Sequence, residues 1–208
     1  MAKNFDCILC KEIENHSINV LKINRIILET ENFVVLPTVG CFQIGYLLIV
    51  PKLHYLCFGE FNKQLFIELD GIINKISRYI KKTTGKDNII FEHGTRDISK
   101  LTSTSIMHAH IHIMPFEGSF INFLPVDCKL KTIGGFADLA KENDNYLFLR
   151  DTNNVNYIVI NNEYPSQFFR RIACKALGIT ECWDWRSHEF SENMKITLDF
   201  YKNIHEEE

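Results

Sequence analysis

Three histidines occupy every second position of "MHAHIHIMPF" (residues 107–116): His108, His110 and His112. On an extended chain such residues share a face, with neighbours roughly 6.5 Å apart and His108 and His112 roughly 13 Å apart. A metal ion bonds imidazole nitrogen at about 2 Å, so two of them can share an ion but three cannot without strain. The set is expected to divide between different jobs. A second pair, Cys7 and Cys10 of "CILCKEI", has the C-x-x-C spacing that supplies half of a tetrahedral zinc site. With no second C-x-x-C in the chain, histidines must complete the set if zinc is bound. His54, just after "LLIVPK", and one member of the triple are the candidates; His16, His188 and His205 lie in polar or terminal stretches and are weaker ones. The other reading of Cys7 and Cys10 is as small buried apolar side chains. That reading is preferred for Cys41, Cys57, Cys128, Cys174 and Cys182, which have no ligand spacing.

These residues need a scaffold, and the chain of 208 residues is long enough for one large domain or a domain with an appendage. Its 46% hydrophobic and 24% charged content is that of a globular protein, and a net charge of −3 gives no general attraction to nucleic acid. No apolar run approaches the roughly 20 residues needed to cross a bilayer, and no signal peptide is read at the start. An odd cysteine count with one close pair points to a reduced, cytoplasmic protein with a metal site rather than a disulfide framework.

The stretch from Arg25 to Phe58 reads as short β-rich runs, with Tyr46–Val50 a buried strand ending at Pro51. "NKQLFIELDGIINKISRYIKKTTG" predicts a helix with a stripe of Leu65, Phe66, Leu69, Ile72, Ile73, Ile76 and Ile80, capped by Asn62 and ended by Gly85. "NIIFEHG" and "IMHAHIHIMPF" predict two strands around a polar loop. From Gly118 to Gly135 the pattern weakens to a connecting segment. "NYLFLRD" and "NYIVIN" around "TNNV" predict a hairpin, and two helices follow, the first with Ser166 as its cap and Gly178 at its end. The fold class is α+β: an antiparallel sheet with packed helices, plus a C-terminal hairpin and helices. We divide it at residue 118, with 1–118 as the site-bearing domain and 119–208 as an extension packed on it.

"HAHIHIMP" resembles the signature of the histidine-triad superfamily, His-x-His-x-His followed by apolar residues. "LLIVPKLH" is similar to that superfamily's strand-proline-basic-x-histidine segment, and "CILCKEI" to the start of its zinc-containing branch. The three motifs occur in the expected order over about 110 residues, and residues 119–208 have no counterpart. The resemblance implies that His110 is a nucleophile that attacks the α-phosphorus of a nucleotide, giving a covalent nucleotidyl-imidazole that water cleaves. Neutral imidazole near pH 7 suits that role. It implies His112 and Ser105 beside the phosphate or leaving group, and a closed structural zinc site of Cys7, Cys10, His54 and His108. Were zinc to take both His108 and His110, the chemistry would instead be metal-activated water.

Two positions depart from the pattern. "FEHG" (91–94) stands where relatives offer an amide to the phosphate; a carboxylate there repels, so His93 is preferred over Glu92, with Gly94 allowing close backbone approach. Gly45-Tyr46 stands where relatives have Gly-His, which removes an imidazole near the site. Arg170, Arg171, Trp183, Trp185 and Arg186 are read as surface arginines and tryptophans of a small core.

The resulting expectation is a nucleotide hydrolase for dinucleoside polyphosphates or nucleotide conjugates, with adenine as the base the family suggests and a homodimer as its usual assembly. Stable binding to nucleic acid or membrane is not expected. A nucleotidyltransferase and a non-catalytic nucleotide-binding zinc protein are the alternatives.

Overall fold

The computed structural model describes residues 7–15, 21–96, 106–142, 144–160 and 164–206. Among these residues eight strands form one sheet: β1 (Leu28–Glu29), β2 (Phe33–Pro37), β3 (Leu47–Pro51), β4 (Asp87–Gly94), β5 (Ile111–Phe116), β6 (Lys129–Ile133), β7 (Tyr146–Arg150) and β8 (Asn156–Ile160). Their spatial order is β1-β2-β3-β5-β4-β7-β8-β6, and every pairing is antiparallel. The predicted α+β class is the observed one.

The central strands read as unbroken apolar runs because both faces of the sheet are covered. Leu47 and Ile49 of β3, Ile111 and Ile113 of β5 and Phe148 of β7 face the helix α2 (Lys63–Thr84). This is the predicted helix: the Asn62 side chain accepts from the Leu65 N–H, and Gly85 ends it with φ +72 in the left-handed region. Burying each of Leu69, Ile73 and Ile76 contributes about 1.5–3 kcal/mol.

The alternate residues face the other way. Leu48 and Val50 pack under the short helix α1 (Ile8–Glu14), while Phe91, Met114, Leu147 and Leu149 pack against α3 (Phe168–Ala176) and Met194 of α4 (Ser191–Phe200). This second face carries the candidate site.

Two expectations change. Residues 118–135 are not all connection, since they include β6, which pairs with β8 from Lys129↔Ile160 to Ile133↔Asn156. It is an edge strand whose Lys129, Lys131 and Thr132 are exposed, so only two of its five residues are apolar and no alternation stands out. Helix α3 is not capped by Ser166: it starts at Phe168 after Gln167, which has φ +60 and makes no side-chain cap. Both Phe168 and Phe169 turn into the core, and that burial rather than a cap sets the start. Among the described residues no helix is long and apolar enough to cross a membrane.

Candidate active site

Register places the site. His112 of β5 lies opposite Leu48 of β3 on one side and Phe91 of β4 on the other, and two residues along β4 His93 points to the same face. β5 begins only at Ile111, so His108 and His110 sit on the segment leading into it, which bends at Met107 and His108. This lead-in separates the three histidines. The rings of His110 and His112 lie 5.0 Å apart, whereas the His108 ring packs edge-on against His54 at 4.9 Å.

His93, His110 and His112 line one pocket of about 190 Å³. A carbonyl oxygen can only accept, so the 2.6 Å contact of His110 Nδ1 with the His108 carbonyl makes Nδ1 the protonated nitrogen. Nε2 is then the bare lone pair. Burial holds His110 below the ordinary imidazole range, and Arg170 adds to this while the carbonyl opposes it. His112 is held further down, by burial first and then by His110 and Arg170. Its ring lies flat on Phe91, with centroids 4.6 Å apart and planes 14° apart. Both imidazoles are therefore neutral at pH 7.

Cys7, Cys10, His54 and His108 bring four donor atoms within 4.8 Å of one another. Cys7 Sγ and Cys10 Sγ each lie 3.4 Å from His108 Nδ1, and Cys10 Sγ lies 3.4 Å from His54 Nδ1. Metal–sulfur and metal–nitrogen bonds of about 2.3 and 2.0 Å give a tetrahedral edge of about 3.5 Å, so the set fits a four-coordinate zinc. His108 Nε2–H donates to the Pro51 carbonyl at 2.8 Å, which leaves Nδ1 as the free donor, and burial lowers this imidazole to about 4. An orienting carbonyl behind the ring is the usual support of a metal-bound histidine. Helix α1 has a second tether, a buried pair in which Arg25 donates through Nε and Nη2 to the Glu12 carboxylate and through Nη1 to the Pro37 carbonyl.

On β4 the pleat divides two neighbours. Glu92 faces the α2 side, where it accepts from the Phe58 N–H at 2.9 Å and the Tyr146 hydroxyl at 2.8 Å. Burial pushes its carboxyl up to about 7. His93 faces the pocket. Gly94 makes room for a ring rather than a ligand, because a Cβ there would lie 2.2 Å from Tyr146. Ser105 lies outside the described residues.

The sequence reading left one contributor out. Arg170 of α3 is buried, not on the surface: it donates to the Gly40 carbonyl at 2.8 Å, the Trp183 carbonyl at 2.9 Å and the Tyr46 hydroxyl at 3.3 Å. Tyr46 in turn places its hydroxyl 2.7 Å from His112 Nδ1. The residue that replaces the expected histidine thus still supports the site, through oxygen instead of nitrogen. Trp185 lines the pocket wall, and Arg171 stacks on Trp183 with 3.3 Å from guanidinium carbon to ring centroid. An arginine on an amphipathic helix gives no sequence signal for such a role.

No protein-family profile matches the chain. An uncharacterized HIT-like protein of Saccharolobus solfataricus is 29% identical over 111 residues, which are 52% of this chain and 73% of that one. Adenylylsulfatase HINT3 of Arabidopsis thaliana is 30% identical over 112 residues, 53% of this chain and only about half, 52%, of that protein. A zinc-bound histidine triad family protein from Mycobacterium smegmatis superposes with a TM-score of 0.44 at 15% identity, over 65% of this chain and 88% of that one. Together with the ordered motifs from Cys7 to Pro115, the sequence relatives make the chain similar to histidine-triad superfamily proteins over about half of its length.

Proposed function

We propose that the protein is a nucleotide hydrolase that works at the α-phosphate of nucleotide conjugates or dinucleoside polyphosphates through a covalent nucleotidyl-His110 intermediate. The observation that carries this reading is the His110 tautomer: Nδ1–H is held by the His108 carbonyl, so Nε2 offers a lone pair on the pocket side. Its attack on phosphorus forms the N–P bond as the P–O bond to the leaving group breaks. The leaving oxygen takes that electron pair, with His112 and His93 as its neighbours on the pocket face. Water then attacks phosphorus, the N–P bond breaks, the pair returns to Nε2, and the proton lost by the water passes to solvent. Splitting one displacement into two in this way lowers each barrier. The name of the Arabidopsis relative favours a small conjugate, an adenylyl group on sulfate, as the first substrate to try.

Cys7, Cys10, His54 and His108 would hold zinc, which supplies cross-linking rather than Lewis-acid chemistry because all four positions are filled by protein. In this reading the ion ties α1 to the lead-in of the catalytic strand, and His110 stays outside the cluster. Residues 7–116 contain the triad, His93 and the zinc set, and Phe169, Arg170 and Trp185 of the segment after residue 118 complete the pocket wall.

The test is turnover of adenylyl sulfate and of diadenosine polyphosphates in ¹⁸O-water. Nucleoside monophosphate carrying ¹⁸O is the expected product. Transfer of the nucleotide to an added phosphate acceptor without ¹⁸O would make the protein a transferase. Saturable binding of nucleoside monophosphate with no turnover of any conjugate would make it a non-catalytic binder.

A further inference from the structure

The segment between β2 and β3 takes several of its hydrogen bonds from the C-terminal part of the chain. The Gly40 N–H donates to the Glu189 carbonyl at 2.9 Å, and Asn193 donates to the Cys41 carbonyl at 2.9 Å. Gly45 donates to the Thr197 hydroxyl at 3.0 Å and accepts from the Tyr201 hydroxyl at 2.9 Å. At Gly40, φ is +71, and a Cβ would lie 2.5 Å from Arg170 Nη2 and 2.7 Å from Trp185 Cβ. Only glycine admits the guanidinium there. This grip fixes Tyr46, the next residue on, and Arg170 touches its hydroxyl directly.

The hydroxyl has one proton, and two arrangements toward His112 are open to it. It can donate to a bare Nδ1, or accept from an Nδ1–H. Arg170 donates into the same oxygen, which polarises the O–H outward and opposes a second incoming donor. The phenol then donates to Nδ1, and the proton of the His112 ring sits on Nε2. That choice matters at the pocket: Nε2–H is a donor to phosphate or leaving-group oxygen, while a bare Nε2 would repel it.

We propose that Arg170 is a positioning residue which, acting through the Tyr46 hydroxyl, fixes His112 as its Nε2–H tautomer and so aims a hydrogen-bond donor into the pocket. The C-terminal segment is thereby part of the catalytic apparatus and not a cover over it. The consequence for turnover rests on the hydrolase reading above; the tautomer itself does not.

The experiment is ¹⁵N NMR of the histidine rings in the 208-residue chain, with wild type, R170M, R170K and Y46F, paired with steady-state kinetics on adenylyl sulfate. In the wild type, His112 Nδ1 should carry the shift of an unprotonated acceptor and Nε2 that of a protonated donor. R170M and Y46F should mix the two tautomers, and R170K should restore the wild-type shifts in part. R170M and Y46F should each lower kcat roughly 10- to 100-fold, the range for orienting partners of a functional imidazole. R170M should add no further loss in the Y46F background. A wild-type His112 protonated on Nδ1, an unchanged tautomer in folded R170M, or a full R170M loss on top of Y46F would each overturn the proposal. If R170M does not fold, Y46F carries the test alone, since it removes one hydroxyl and leaves Arg170 in place. Absence of any turnover in the wild type would remove the hydrolase reading but leave the NMR outcome to stand or fall by itself.

Discussion

His110 and Glu92 show what single residues gain from their surroundings. A carbonyl fixes the His110 tautomer without adding charge, so the ring keeps an unprotonated nitrogen at neutral pH. His110→Ala should lower turnover by at least roughly 10³-fold, as removal of a covalent nucleophile does, and leave metal content and the melting temperature unchanged. Assays of activity and metal on the same preparation check both halves. Glu92 predicts a pH effect on stability. Its folded carboxyl titrates near 7 and its unfolded one near 4.5. Between these values the unfolded chain releases a proton that the folded chain keeps, so stability falls as pH rises through this window and levels above it. Denaturant unfolding at pH 5 and pH 8 should show Glu92→Gln gaining on the wild type by on the order of 2–3 kcal/mol at the higher pH. A difference independent of pH would mean that Glu92 is not protonated in the folded state. The spacing of the triad was legible in sequence; the pleat of β4 turns His93 rather than Glu92 toward the pocket, and the phosphate contact expected of it is part of the proposal. Arg170 was not legible, because its partners Tyr46 and Gly40 lie 124 and 130 positions away and only tertiary packing joins them.

At the scale of elements, four donor atoms connect α1, the segment after β3 and the lead-in to β5. If they hold zinc, the ion is a cross-link between parts far apart in sequence, and its binding energy is folding energy. Cys10→Ser should lose the metal and lower the melting temperature by roughly 5–10 °C, since one kcal/mol moves a chain of this size by about 2–4 °C. Metal analysis by mass spectrometry with thermal unfolding tests this; full metal content and an unchanged melting temperature would contradict the staple. Helix α2 was readable because its stripe, cap and terminating glycine agree with one another. β6 was not, because an edge strand with two lysines facing solvent has little hydrophobic pattern to display. The start of α3 was misplaced for a related reason: burial of Phe168 and Phe169 outweighs the local capping preference of Ser166.

For the whole molecule, the sheet does not stop where the recognisable motifs do. β7 pairs with β4 from Ile90↔Arg150 to Gly94↔Tyr146, so the C-terminal hairpin continues the sheet from the strand that carries His93. A chain ended at residue 118 would expose the β4 edge and the apolar surface around Phe91 and Met114. Such a fragment should aggregate or lack near-ultraviolet dichroism, whereas the full chain unfolds cooperatively. A soluble fragment with a sharp transition would make 1–118 an autonomous domain. The α+β class followed from element order alone, but which strand the hairpin would join did not, because strand partners are chosen by burial over the whole sheet.

The most direct test of the central claim is intact-protein mass spectrometry after millisecond mixing with adenylyl sulfate and acid-free quenching. A mass increase of one nucleoside monophosphoryl group, mapped to His110 and missing from His110→Ala, is the predicted result. Turnover with no adduct at any time, together with an active His110→Ala variant, would contradict it.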